Sequence, residues 1–343
     1  MNGCASARCA CQVKEASMRE KLCAWGIRLA VTGMIVGVLA GPTLAQPYPT
    51  KPIRLAVPTP PGGATDLVAR LVAPKMAEVL GQPLIIDNRV GASGVIGSES
   101  VAKSVPDGYT ILAVFDNFAT NPYLFPARTY DPVKHFTPIS LIVKAAQVVV
   151  VTPGLGVRTY PDLVKLAQAR GNALNYATAG PGTSSRLTVE LLKTIAGIDP
   201  TAIHYKGGAP AMTALLGAQV EMMVVTLGTV LPHLKTEKLV PLAVTSTSRH
   251  PLLPDVPIIG DFHAGFEAQS WVGMLGPPGL PDEIQKKLEA AVRAAALDPE
   301  VRERFQAQGY EVLGTTGAPF AQWLQVESAR WGRVIRDQRI TLE

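Results

Sequence analysis

Pro60-Pro61-Gly62-Gly63-Ala64-Thr65-Asp66 is the stretch on which the fold turns. Before it lies a short apolar run, Ile53-Arg54-Leu55-Ala56-Val57, with the pattern of a buried strand. After it come Leu67, Val68, Leu71, Val72, Met76, Val79 and Leu80, spaced like one face of a helix. The stretch therefore joins a strand to a helix. Two glycines let the backbone turn tightly and leave its N–H groups uncovered. Thr65 or Asp66 is placed to cap the helix. Open N–H groups at the positive end of a helix dipole suit an anion. An isolated Pro-Gly-Gly reads as a plain tight turn; the context later in the chain reverses that reading.

The same device recurs. Leu84-Ile85-Ile86 reads as a second strand, Gly91-Ala92-Ser93-Gly94 leads into a helix over 95–104, and residues 109–115 form a third strand. Strands alternating with helices at this spacing mean βαβ units and a parallel sheet, an α/β fold. A second α/β unit starts near 148–151. Thr159 caps a helix that runs to Arg170 and stops at Gly171. Residues 175–178 form a strand, and Gly180-Pro181-Gly182-Thr183-Ser184-Ser185 is the next strand-to-helix loop. Ile203-His204-Tyr205 is followed by Lys206-Gly207-Gly208-Ala209-Pro210, where Pro210 suits a first helical turn. Strands follow over 220–225 and 239–244. The last section is helical, with starts at Pro281-Asp282 and Asp298-Pro299. Its stripe of Phe320, Trp323, Leu324, Glu327, Trp331, Val334 and Ile335 reads as core.

The first 45 residues read as a secretory leader. Arg8, Lys14, Arg19, Lys21 and Arg28 make a basic lead-in, residues 29–40 are uncharged and mostly apolar, and Thr43-Leu44-Ala45 precedes a cleavage point at Gln46. The apolar run is too short for a membrane anchor, which needs about 20 residues. Met18 would open a leader of more ordinary length. All four cysteines (Cys4, Cys9, Cys11, Cys23) precede the cleavage point. The mature chain thus holds no disulfide, thiolate nucleophile or cysteine-ligated metal. Removing the leader leaves 27 basic against 25 acidic residues, a net charge of +2. That balance argues against a nucleic-acid partner. The remaining length is ample for two domains.

Catalytic constellations are weak. There is no G-x-S-x-G elbow and no Walker loop. Ser100-Val101-Ala102-Lys103 matches S-x-x-K, with no S-D-N triplet beside it, and Ser100 falls mid-helix. His135, His204, His233, His250 and His263 are scattered without ligand spacing. No metal or cofactor is called for. What remains is three glycine-bearing helix N-termini in two α/β units. Open α/β sheets take ligands at the carboxyl ends of their strands. Two such units facing each other give a cleft lined with backbone donors, which suits a carboxylate and needs no catalytic group.

The motifs Tyr48-Pro49-Thr50-Lys51-Pro52-Ile53-Arg54, the Pro-Pro-Gly-Gly-Ala-Thr-Asp loop, Gly81-Gln82-Pro83, Pro106-Asp107-Gly108-Tyr109-Thr110 and Tyr130-Asp131-Pro132-Val133-Lys134 fall in register with one family. Asn175-Tyr176, Gly182-Thr183-Ser184, Tyr205-Lys206-Gly207-Gly208-Ala209-Pro210, Leu242-Ala243-Val244-Thr245-Ser246 and Leu253-Pro254-Asp255-Val256-Pro257 continue the match. From Tyr48 onward the chain resembles the Bug, or TctC-like, proteins, the periplasmic solute-binding subunits of tripartite tricarboxylate transporters. The resemblance implies a type II periplasmic-binding fold of two α/β domains, 46–145 plus 268–343 and 146–267, with one ligand in the cleft between them. It implies a non-enzymatic, monomeric protein that passes a small organic acid to transporter membrane subunits. Carried onto this chain, the site comprises Pro61, Gly62, Gly63, Ala64, Thr65 and Asp66, then Thr183, Ser184, Ser185 and Arg186, then Lys206, Gly207, Gly208 and Thr226. Loop amides are the main contact, and Lys206 stands at the rim.

Three places depart from the family's pattern: Val225-Thr226 in place of Asp-Asn, Arg186 in place of His, and Phe115-Asp116-Asn117-Phe118 in place of a small uncharged loop. Asp116 either caps a turn in solvent or faces the cleft. In the cleft it needs a partner, either Arg186 or a donor group on the ligand. Two rival functions use the same framework. An α/β hydrolase or transferase would employ the glycine loops as an oxyanion site but lacks a nucleophile–base pair. A ligand sensor for a signalling receptor would need the same two-domain clamp as a transporter subunit.

Overall fold

Strand β1 (Ile53–Val57) lies between β2 (Leu84–Asn88) and β3 (Thr110–Phe115) and runs parallel to both. Helix α1 (Ala64–Leu80) makes the first crossover and α2 (Val95–Ala102) the second. The computed structural model describes residues 48–125 and 130–341, so the leader and its cleavage point lie outside the described residues. Gly81 ends α1 in the left-handed conformation at φ 70°, its N–H on the Ala77 carbonyl, as glycine does at a helix C-terminus. Pro74 sits inside α1 without interrupting it.

After α3 (Asn117–Leu124), strand β4 (Thr137–Val151) runs for 15 residues, far longer than its apolar end at 148–151 indicates. Two register shifts, between Pro138 and Ser140 and between Leu141 and Val143, break its alternation. A bulge moves the following side chains to the other face, so a period-two pattern cannot be read across it. From Thr137 to Ala146 the strand pairs with β9 (Gln269–Gly276), and from Gln147 to Val151 with β7 (Met222–Thr226). Its other edge carries β10 (Tyr310–Val312) early and β8 (Val240–Val244) late.

Around the second part of β4 the chain adds α4 (Tyr160–Arg170), β5 (Asn175–Thr178), α5 (Ser184–Ala196), β6 (Thr201–His204), α6 (Gly208–Leu216) and α7 (Leu227–Lys235). Strand β5 is parallel to both β6 and β7. The sheet order is β2-β1-β3-β9-β4-β7-β5-β6, a parallel trio at each end joined by antiparallel strands. The remaining helices are α8 (Asp282–Leu297), α9 (Pro299–Ala307) and α10 (Gly317–Asp337). Local chemistry fixes several ends. Thr159 accepts from the Asp162 amide at the start of α4, and Asp298 accepts from the Glu300 and Val301 amides at the start of α9.

The core follows from β4 being covered on both faces. Val148 and Val150 pack with Leu215, Val225 and Leu231; Val149 and Val151, on the opposite face, pack with Tyr160, Tyr176 and Leu187. Trp331, Ile335 and Ile340 join the second group, so the far end of α10 packs on the second half of the sheet. Its near end, Phe320 and Leu324, packs with Leu112, Val114 and Trp271 on the first half. A Cβ on Gly273 of β9 would run into the Phe320 ring, which is why that strand position is glycine.

Candidate functional site

Asp66 organises the first glycine loop from within. Its side chain is 1% exposed and accepts hydrogen bonds from the Gly62 amide (2.8 Å), Arg70 Nε (2.8 Å) and Asn88 Nδ2 (3.0 Å). Asn88, at the end of β2, also donates to the Thr59 carbonyl at 3.0 Å. Burial pushes the Asp66 carboxyl upward, but the bonds from Arg70, Asn88 and Gly62 outweigh it and hold the group below its ordinary value. The Gly63 amide bonds to the Pro60 carbonyl at 3.2 Å. Two expectations are thereby corrected. The amides of Gly62 and Gly63 are closed inside the loop, and neither Thr65 nor Asp66 caps α1: Gly63 occupies that position without a side-chain cap. The open amides are those of Ala64, Thr65 and Asp66, which have no carbonyl partner in the first turn of a helix. The hydroxyls of Thr59 and Thr65 are buried there without a hydrogen-bond partner, while Pro61 is exposed.

The next loop is held by backbone strain. Ala92, Ser93 and Gly94 follow one another at φ 46°, 52° and 90°. Two non-glycine residues in the left-handed region persist only where the surroundings enforce it. The enforcing contacts are the side-chain amides of Asn117 and Asn121, both donating to the Ser93 carbonyl. A Cβ on Gly94 would meet Pro58 at 3.2 Å, so the segments following β1, β2 and β3 are packed together.

On the second half of the sheet, Thr183 precedes α5 and donates to the Gly180 carbonyl at 2.8 Å. The first amides of α5, at Ser184, Ser185 and Arg186, are open by the same helix geometry. Gly207, at φ 118°, precedes α6 in a conformation only glycine adopts readily. Lys206 beside it is exposed. Thr226 ends β7 directly opposite Gln147 of β4. The Arg186 side chain turns elsewhere. One terminal nitrogen donates to the Pro181 carbonyl (2.9 Å) and to the Thr341 carbonyl (2.8 Å), and its Nε lies 3.8 Å from Glu190. The pairing of Arg186 with Asp116, one of the two alternatives for that carboxyl, is therefore not made.

Asp116 is 3% exposed, immediately past the end of β3. Strand β9 runs antiparallel to β3, pairing Phe115 with Val272, so Ser270 extends beyond the β3 end and reaches Asp116. Ser270 Oγ donates to Asp116 Oδ2 at 2.7 Å. Ser184 Oγ lies 3.4 Å from Ser270 Oγ. Gln147 Nε2 donates to Ser184 Oγ (3.0 Å) and Ser270 Oγ (3.3 Å). Four side chains thus meet at the carboxyl ends of β3, β5 and β7. Asp116 Oδ1 and Gln147 Oε1 remain buried without a partner. Burial raises the Asp116 carboxyl above its ordinary value, with the hydroxyls of Ser270 and Ser184 and the Asn117 amide opposing.

The description "tripartite tricarboxylate transporter family receptor" (TctC) matches residues 68–340. The chain belongs to the TctC family. Solved structures agree. The periplasmic binding protein BugD is 32% identical at a TM-score of 0.77, spanning 85% of this chain and 99% of that one. Rpa4515 of R. palustris, solved with adipate, is 34% identical at 0.79 over 85% and 99%. MatC (Rpa3494) of Rhodopseudomonas palustris, solved with bound malate, is 32% identical at 0.76 over 84% and 100%. This TctC receptor therefore has the periplasmic-binding-protein α/β fold and is a solute-binding protein.

Within the TctC receptor, Ser184 and Asp116 are brought together, whereas Asp66 and the Arg186 side chain serve the fold around the loops. Sequence reasoning missed Ser270 and Gln147, and it placed the Gly91–Gly94 loop without its left-handed backbone. Gln147 carried a signal, a lone amide in the apolar run Ala145-Ala146-Gln147-Val148-Val149-Val150-Val151. A buried amide has to find partners. Ser270 carried none, because only the antiparallel placement of β9 brings it to Asp116.

Proposed function

We propose that the chain captures a small organic acid between the two halves of its sheet and delivers it to the membrane subunits of a tripartite transporter. The observation that carries this reading is the set of open helix N-termini. Helix α1 on the first half, and α5 and α6 on the second, each begin past the carboxyl end of a parallel strand. Their first amides lack partners within the helix, and such amides hold an anion without a counter-cation. That Rpa4515 was solved with adipate and MatC with malate supports a carboxylate ligand.

In this reading the lobes are 46–145 plus 268–343 and 146–267, meeting where β4 changes partner at Ala146 and Gln147. The ligand lies on the amides of Ala64, Thr65 and Asp66 from one lobe and of Ser184, Ser185 and Gly208 from the other. Lys206 stands at the rim and Thr226 beside Gln147. The protein is exported through the 1–45 leader, works in the periplasm as a monomer and releases its ligand unchanged. Isothermal titration with C4 to C6 carboxylic acids tests it. One-to-one binding of any of them, with the acid recovered intact by NMR, supports the reading; absence of binding by the whole series refutes it.

A further inference from the structure

The cluster of Asp116, Ser270, Ser184 and Gln147 is ordered in a way that leaves acceptors over. Gln147 donates to both serine oxygens, and Ser270 donates in turn to Asp116. Donors therefore run toward Asp116 and end there. Two atoms are left open, Asp116 Oδ1 and Gln147 Oε1, and both are acceptors with no partner in a buried setting. A buried acceptor without a partner costs about 1–3 kcal/mol, more if it is charged. A group that persists in that condition needs a donor brought from outside.

Charge points the same way. Arg186, the basic residue at another departure from the family pattern, is held by Pro181, Thr341 and Glu190. On α10, the buried carboxyl of Glu327, 1% exposed, is pushed up in part by the charge of Asp116, so the ionisable neighbour on that helix is acidic too. Glu327 already has its cation, Arg330 at 3.0 Å. Arg186 and Arg330 are thus both engaged with glutamates, and neither pairs with Asp116. The position is also where both halves of the sheet meet, since Asp116 and Ser270 come from the first half and Ser184 from the second.

We propose that Asp116, supported by Ser270, Ser184 and Gln147, is a specificity subsite for the ammonium group of an amino-substituted carboxylate ligand. The inference rests on the organic-acid reading of the cleft. An ammonium supplies a positive charge and three donors, which match Asp116 Oδ1 and Gln147 Oε1 together. A hydroxyl supplies one donor and no charge, so it fits less well, and a plain acid leaves both acceptors bare. The ligand's carboxylate meanwhile sits on the helix amides.

Calorimetric titration of the wild-type protein with matched pairs tests this: succinate, malate and aspartate, then glutarate and glutamate. The amino acid is expected to bind at least tenfold tighter than its plain counterpart, with the hydroxy acid between them. In Asp116→Asn the amino acid is expected to lose at least tenfold while the plain acid holds or gains. A plain acid that binds as tightly as its amino partner, or equal losses for both in Asp116→Asn, overturns the subsite and leaves the carboxylate cleft standing. Failure of every acid in the series to bind overturns both. The wild-type comparison needs no variant, so a folding defect in Asp116→Asn does not shelter the proposal.

Discussion

The guanidinium of Arg186 donates to the carbonyl of Thr341 at 2.8 Å, joining the first turn of α5 to the end of the described chain. The bond closes a strap. Helix α10 starts on the first half of the sheet, its far end packs on the second, and Ile340 is buried in that second core. Arg186 fastens the last link. Arg186→Ala leaves the Pro181 and Thr341 carbonyls without this donor. A hydrogen bond from a charged group contributes about 1.5–3 kcal/mol. The variant should melt several degrees lower and lose its C-terminal residues first under limited proteolysis, with ligand affinity within about twofold of wild type. A large loss of affinity without a change in melting would instead put the side chain on the ligand.

Asp66 should behave as the keystone of the glycine loop. Asp66→Asn replaces a buried carboxylate that accepts from Gly62, Arg70 and Asn88. The folded group titrates below its ordinary value of 3.8, so its contribution to stability is present above about pH 4 and is lost as pH falls through the folded value. The melting temperatures of wild type and Asp66→Asn should differ most at neutral pH and converge in acid. A difference that does not shrink on acidification would show that the charge is not what holds the loop.

Asp116 carries the opposite sign. Its folded pKa is raised from 3.8, so the stability it confers is complete below that value and is lost as pH rises through the folded one. At neutral pH the ligand-free protein bears the cost of burying a carboxyl whose hydrogen bonds do not offset its desolvation. Asp116→Asn should therefore melt higher than wild type at pH 7, by about 1–3 kcal/mol in stability, with the gap closing toward pH 4. Thermal melts across pH check it. A variant that melts lower at neutral pH would mean Asp116 is a structural acceptor already satisfied.

In the proposed reading, ligand held by amides from α1 and α5 would bridge both halves of the sheet and favour their closest approach. Small-angle scattering should show a smaller radius of gyration at saturating ligand than without it. An unchanged radius with a ligand proven to bind would indicate a site formed before the ligand arrives.

The legible parts of the sequence were those whose cause is local. The β1–loop–α1 unit, the Thr159 cap and the Asp298 cap each rest on residues within a few positions of one another, and the structure has all three. Strand β4 was legible only over its last four valines, because the bulges near Pro138 and Leu141 scramble the alternation before them. Strand β9 escaped because Gly273 interrupts its apolar run, and the reason for Gly273 is a ring on α10, 47 positions away. The site divides the same way. Helix N-termini announce themselves through glycine and serine. The partnership of Asp116 with Ser270 spans 154 positions and exists only once β9 lies beside β3.

Neither half of the sheet owns its central strand. Residues up to Ala146 of β4 serve one half and residues from Gln147 the other, with neighbours on both edges of each part. A turn of one half against the other cannot be taken up by slack backbone at that point. It has to twist a hydrogen-bonded ribbon about its own axis, as a torsion bar does. Such an element resists in proportion to the angle, so in the proposed two-lobe reading closure onto the ligand would load β4 and release would unload it.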